Sequence, residues 1–199
     1  MKRSAAKAEA PSTFASLRLA HPDAHCELVH SGAFQLLVAT VLSAQTTDVA
    51  VNRVTPELFR RWPDAPALSG APQPDVEGVV GSLGFFRQKA RAIVGLSRAL
   101  VERHGGSVPA TLAELIELPG VGRKTANVVL GVAFGAPEGV VVDTHVQRLS
   151  QRLGWTKERD PVRIEADLMR LFPADVWDPL SHTLIFHGRR ICDARRPAC

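Results

Sequence analysis

Apolar residues return at helical spacing along almost the whole chain, and that period constrains the fold more than any other feature. Phe34, Leu37, Val38, Val41 and Leu42 fall at i, i+3, i+4, i+7 and i+8, one face of a helix over residues 33–44. Ala90, Ile93, Val94, Ser97, Leu100 and Val101 repeat the pattern over 86–104, where Gly105-Gly106 supplies a stop. Capping chemistry marks further starts. Thr47 or Asp48 precedes a helix interrupted near Pro56, and Asp75 precedes a short one ending at Gly84. Asp143 opens 144–153, Asp160-Pro161 opens a helix through Phe172, and a last helix is expected over 175–190. Residues 63–74, rich in Pro, Ala and Gly, read as a long surface connection. Only residues 139–142 resemble a strand, and with no partner to pair with they read as a buried approach to the next helix. The expected class is all-α.

The 199 residues are 45% hydrophobic and 22% charged, enough to bury a core and too apolar for a disordered chain. No stretch approaches the ~20 apolar residues of a spanning helix, and residues 1–13 lack the apolar segment of a signal peptide. Three cysteines, one early and two at the end, make no disulfide framework, so a reducing, cytoplasmic setting is expected. Lys and Arg outnumber Asp and Glu by 24 to 20. Arg189, Arg190, Arg195 and Arg196 crowd the C-terminal end, and Lys2, Arg3 and Lys7 lie in an arm over 1–13 read as disordered. Polyanion binding and solvated tails explain that placement equally well.

The densest information lies in Leu118-Pro119-Gly120-Val121-Gly122-Arg123-Lys124-Thr125-Ala126, between helical segments over 113–117 and 127–134. Glycine tolerates positive φ and lets another backbone come close. A helix that starts just after such a turn offers unpaired N–H groups and a positive dipole end, which suit a phosphate oxygen. Arg123 and Lys124 add full charge there. An ordinary helical hairpin would use the same glycines, but the whole nonapeptide matches a helix-hairpin-helix. Such an element grips DNA backbone without reading bases.

Lys124 falls one or two positions into the second helix. Taken alone it is a phosphate-binding lysine. Burial or a helix N-terminus can also favour a neutral amine, which attacks a sugar C1′ and forms a Schiff base. Asp143, in Val142-Asp143-Thr144-His145, is first an N-cap. A capping carboxylate is also held rigidly, and could take the amine's proton or stabilise positive charge on a sugar ring. An ionised carboxylate in direct contact would favour the protonated amine, so this pairing requires Asp143 to stand off Lys124.

Lys124 in LPGVGRKTANVVL, followed by Asp143 in VDTH, resembles the helix-hairpin-helix DNA glycosylase superfamily. The likeness runs from about Phe34 to Cys199 and is strongest to its endonuclease III branch, whose members are bifunctional glycosylases and abasic-site lyases. In the monofunctional adenine-mispair branch the lysine position is typically not lysine. The resemblance implies a two-lobed all-α fold with a central DNA-binding cleft: one lobe of 14–30 with 138–199, the other of 31–137 holding the hairpin over 118–126. It implies excision of an oxidised pyrimidine and β-elimination, with Lys124 as Schiff-base nucleophile and Asp143 as catalytic carboxylate. The partner would be double-stranded DNA carrying a damaged base or abasic site, met by a monomer near the bacterial nucleoid. A mismatch-specific glycosylase and a non-enzymatic DNA clamp are the alternatives.

DNA contacts are implied for Gly120, Val121, Gly122, Arg123 and Thr125. Leu42-Ser43-Ala44-Gln45-Thr46-Thr47-Asp48 resembles the family's LSAQ-x-TD segment, which implies that Gln45 enters the space left by a flipped nucleotide. Without the family, Gln45 and Asp48 would be a helix end and a cap. Gly84-Phe85-Phe86-Arg87-Gln88-Lys89-Ala90 matches the loop whose apolar side chain wedges into the opposite strand, here Phe85, though Phe85 could equally be a hydrophobic staple. A base must leave the stack before its C1′ is reachable. His145 either lines the cleft or packs between helices. Cys192 and Cys199 resemble the first half of the C-x₆-C-x₂-C-x₅-C run that holds a [4Fe–4S] cluster with four thiolates. The run stops at its second cysteine, so either the chain is part of a longer protein, which the break in mid-motif favours, or this copy holds no cluster. Cys26 reads as a small buried hydrophobe rather than a ligand.

Overall fold

In a computed structural model of the protein, which describes residues 2–198, every regular element is helical. In chain order these are α1 (Lys2–Ala8), α2 (Ala10–Ala20), α3 (Ala33–Leu42), α4 (Asp48–Arg61), α5 (Ala65–Ser69) and α6 (Gln73–Val80). They continue with α7 (Phe86–His104), α8 (Leu112–Leu115), α9 (Arg123–Phe134), α10 (Thr144–Arg152) and α11 (Pro161–Leu171). A 3₁₀ turn over Ala174–Val176 leads into α12 (Trp177–Arg190). The chain forms two compact units: one from the segments up to Cys26 and from Ala136 onward, the other from Glu27–Gly135.

The Glu27–Gly135 unit is built around α3, which is buried from Leu36 to Leu42 because α4, α7 and α9 all pack on it. A helix enclosed this way carries apolar residues on every side. Most of the stripe expected for α7 is present: Ala90, Ile93, Val94, Ser97 and Leu100 are buried, whereas Val101 is 39% exposed and Leu96, outside the expected set, is buried instead. Gly105, at φ 59°, ends this helix in the left-handed conformation, and the Gly106 N–H donates to the Leu100 carbonyl at 2.9 Å. Among the two capping candidates before α4, Thr47 is the cap: its hydroxyl accepts from the Ala50 N–H, while Asp48 lies in the first turn.

Three local expectations change here. The helix does not break at Pro56, because Val51, Val54, Thr55 and Leu58 are buried on both sides of it and hold α4 together despite the missing N–H. Residues 63–74 are not one long connection. Asp64 caps α5 by accepting from the Ala67 N–H at 2.9 Å, and fully buried Leu68 docks this short helix onto α7. Asp75 sits inside the first turn of α6 rather than capping it, since the helix already starts at Gln73 with Pro74 in a position where proline lacks no bond.

In the other unit Phe14, Trp155 and Phe172 form an aromatic cluster, with edge-on centroid separations of 5.7 Å (Phe14–Phe172) and 5.0 Å (Trp155–Phe172). Val146, Leu149, Ile164, Leu168, Leu180 and Leu184 complete this core. Residues 1–13, expected as a disordered arm, are helical in α1 and α2; the cluster explains α2, since Ala10 and Phe14 are buried in the core and Pro11 suits a helix start. The 139–142 run forms no strand; Val140 and Val141 are buried, and the Val141 N–H donates to the Ser181 hydroxyl at 3.0 Å. Cys26 is half-buried rather than buried.

Candidate active site

The hairpin belongs to the Glu27–Gly135 unit. Leu118 and Val121 turn inward and are buried, and the Val121 N–H donates to the Leu118 carbonyl at 3.1 Å. Gly120 lies between them at φ 77°, where a Cβ would stand 3.0 Å from the Ala92 Cβ on α7 and 3.7 Å from Val41 Cγ1 on α3. Both the conformation and the space demand glycine. Gly120→Ala is therefore expected to destabilise the fold by about 1–3 kcal/mol, read as a lower denaturant midpoint. Gly122 caps α9 at φ −95° in open space, with no side chain to take up the amides of the first turn. Arg123 and Lys124 are exposed in that turn and Thr125 is half-buried. Val121 can meet a ligand only through its backbone, because its side chain anchors the turn.

In the same unit, the only non-glycine residues at positive φ among those described are Gln45 (53°) and Phe85 (58°). Left-handed backbone at such residues costs about 1–3 kcal/mol each and collects at functional sites. Both side chains stand in solvent, Phe85 at 60% exposure. An apolar staple would be covered, so Phe85 is not one. Between their turns lies Lys89, only 5% exposed, whose amine donates to the Thr46 hydroxyl and whose pKa burial pushes below the ordinary lysine value.

Asp143 belongs to the other unit. It caps α10: Oδ1 accepts from the His145 and Val146 N–H groups, both at 2.8 Å, which leaves Oδ2 outside the cap. His145 packs against α12 at Gly188, where a Cβ would come within 2.7 Å of His145 Nδ1. The Arg148 guanidinium, which can only donate, stands 3.1 Å from that same nitrogen and makes it an acceptor. Burial lowers the His145 pKa, with the nearby Arg148 and Arg189 charges adding to the effect and Asp143 opposing it.

Arg148 also donates to the carbonyls of Gly188 (2.9 Å) and Cys192 (3.0 Å). One turn on, Arg152 donates to Cys192 Sγ (3.0 Å) and to the carbonyls of Asp193 and Ala194. These bonds fold the C-terminal loop onto α10. Arg190 is engaged by Asp23 through two bonds of 3.0 and 2.7 Å, an ion pair that holds the Asp23 carboxyl below its ordinary range. All four terminal arginines are exposed, and Arg195 and Arg196 lie on a loop ordered by Asp193 Oδ1. Cys192 is buried and Cys199 lies outside the described residues. Among the described residues no three His, Cys, Asp or Glu side chains gather as metal ligands. A [4Fe–4S] cluster takes four thiolates, so the residues present do not fit it by themselves.

Lys89, Arg148, Arg152 and Gly188 carry no role that the sequence alone suggests. A signal existed for Lys89, which lies one turn before Ile93 on the apolar stripe of α7, where a lysine is out of pattern. None existed for the arginines, whose partners are backbone carbonyls about forty residues away.

The sequence model of the HhH-GPD superfamily base excision DNA repair proteins matches residues 38–174. The chain belongs to the HhH-GPD superfamily. It is 52% identical to the endonuclease III of Synechocystis sp. over all of this chain and 90% of the relative. The endonuclease III of Bacillus subtilis is 48% identical over 89% of this chain and 81% of its own. The structure of a trapped endonuclease III–DNA covalent intermediate superposes with a TM-score of 0.92 at 43% identity, covering 97% of this chain and 91% of that one. The activity that goes with this membership is that of a base-excision-repair DNA glycosylase and lyase. Among the described residues no helix of this HhH-GPD chain is long and apolar enough to cross a membrane.

Proposed function

We propose that the chain, acting as a monomer, removes oxidised pyrimidines from double-stranded DNA and then nicks the strand, with Lys124 as the nucleophile. The observation that carries this reading is an exposed primary amine in the first turn of the helix that follows the hairpin. Its neutral form attacks C1′ and the glycosidic bond breaks, the electron pair leaving with the base. Opening of the sugar ring gives an iminium to Lys124. Loss of a C2′ proton then expels the 3′ phosphate, which is the β-elimination. Asp143 carries the anionic charge that opposes the positive charge developing on the sugar. Gly120, Val121, Gly122, Arg123 and Thr125 hold backbone phosphate through amides and charge, without reading sequence. Gln45 occupies the space left by the flipped nucleotide, Phe85 wedges into the opposite strand, and His145 lies beside the DNA as a neutral imidazole. The covalent intermediate trapped for endonuclease III, at 43% identity, supports a covalent route.

The test is a panel of duplexes carrying thymine glycol, uracil, a G·T mismatch or 8-oxoguanine, each incubated with and without borohydride. Base release, strand nicking and a trapped adduct are expected on thymine glycol. Base release with no adduct would rule out the lyase half, and a preference for the mismatch would replace the substrate. Binding should also weaken linearly on a log–log plot against salt, because phosphate contacts release counterions. An affinity indifferent to salt would contradict the backbone grip.

A further inference from the structure

Gln45 and Phe85 lie forty residues apart in sequence, and one side chain joins their turns. The Lys89 amine donates to Thr46 Oγ1, and the Thr46 hydroxyl in turn donates to the Ala44 carbonyl at 3.3 Å. Ala44 and Thr46 are the two neighbours of Gln45, so these bonds bracket its left-handed backbone. The Lys89 backbone N–H donates to the Phe85 carbonyl at 3.1 Å, which ties it to the other left-handed residue. A buried amine is an expensive occupant of an apolar stripe. A methionine would fill much the same space without that cost, and what the amine adds is the bond to Thr46.

We infer that Lys89 is a positioning residue that clamps the Gln45 turn to the Phe85 turn before DNA arrives. The two side chains then enter the duplex in one fixed relation, and neither turn has to be ordered on binding. This rests on the reading of Gln45 and Phe85 as the inserting residues. Lys89 touches no DNA itself, so its effect falls on the discrimination between distorted and intact duplex.

The experiment titrates the full chain against a duplex bearing an uncleavable tetrahydrofuran abasic analogue, and against the intact duplex, by fluorescence anisotropy. Lys89→Met is expected to weaken analogue binding by about tenfold, the worth of a lost hydrogen bond to a charged group, while intact-duplex binding stays within about threefold. Thr46→Val, which also loses the bond to the Ala44 carbonyl, should weaken analogue binding at least as much, and the double variant should be no worse than Thr46→Val, since the Lys89–Thr46 bond is already gone there. Lys89→Arg should restore part of the preference. An equal loss on both duplexes, accompanied by a lower melting temperature, would make Lys89 an ordinary structural residue and overturn the inference. If Lys89→Met does not fold, Thr46→Val, altered at a half-buried surface turn, decides alone. Gln45→Ala and Phe85→Ala serve as references. Should they keep full preference for the analogue, the insertion reading itself fails. Should they lose it while Thr46→Val keeps it, only the clamp fails.

Discussion

Lys124→Ala is expected to yield no borohydride-trapped adduct on thymine glycol duplex, while the protein still folds and still binds DNA. The loss is complete because an imine needs a primary amine and alanine has none. The other lysine of the Glu27–Gly135 unit, Lys89, cannot stand in, being buried and committed to Thr46. Folding is spared because position 124 is exposed in a first helical turn, where alanine is a good helix former and surface changes stay within about 0.5 kcal/mol. Binding falls modestly: one cation fewer reduces the slope of log affinity against log salt by about one at most. Circular dichroism, anisotropy titration and gel analysis of trapped species check the three parts together. An adduct that persists in Lys124→Ala would assign the nucleophile elsewhere.

Asp143 separates two roles that the sequence leaves superimposed. Asn caps helices as well as Asp does, so Asp143→Asn should keep the bonds to the His145 and Val146 amides and most of the stability. It removes the charge, however, and base release should slow by about 10²–10³-fold, the usual consequence of losing one electrostatic stabiliser of a transition state. Asp143→Ala loses the charge and the cap, and should be both as slow and about 1 kcal/mol less stable. Single-turnover rates with denaturant melts distinguish the pair. Full activity in Asp143→Asn would reduce Asp143 to a structural cap.

Much of the architecture was legible because it is written in local chemistry. The 86–104 stripe with its terminal glycines, the Asp143 and Asp160 caps, and the Pro-Gly-Val-Gly turn each act within one or two helical turns of themselves. The family motifs added the expectation of roles for Gln45 and Phe85. The structure shows these two in the left-handed conformation, a strain no propensity would forecast at glutamine and phenylalanine. Local chemistry misleads where distant packing overrides local preference. Residues 10–20 are helical because Phe14 finds Phe172, and the 63–74 segment is partly helical because Leu68 finds α7.

The amino-acid order alone determined the helical class, the hairpin, and the amine and carboxylate proposed to carry the chemistry, since periodicity, caps and turn glycines are properties of neighbouring residues. Only the tertiary structure decided which charges are committed and which stand in solvent. Arg190 is taken by Asp23, Arg148 and Arg152 by the carbonyls of the C-terminal loop, and Lys89 by Thr46, while Lys124 stays exposed. All five are cations of the same standing in the sequence. Their fates diverge because an ion's partner is chosen by proximity in space: burial compels Lys89 to find one, whereas Arg152 and Arg190 hold theirs while exposed.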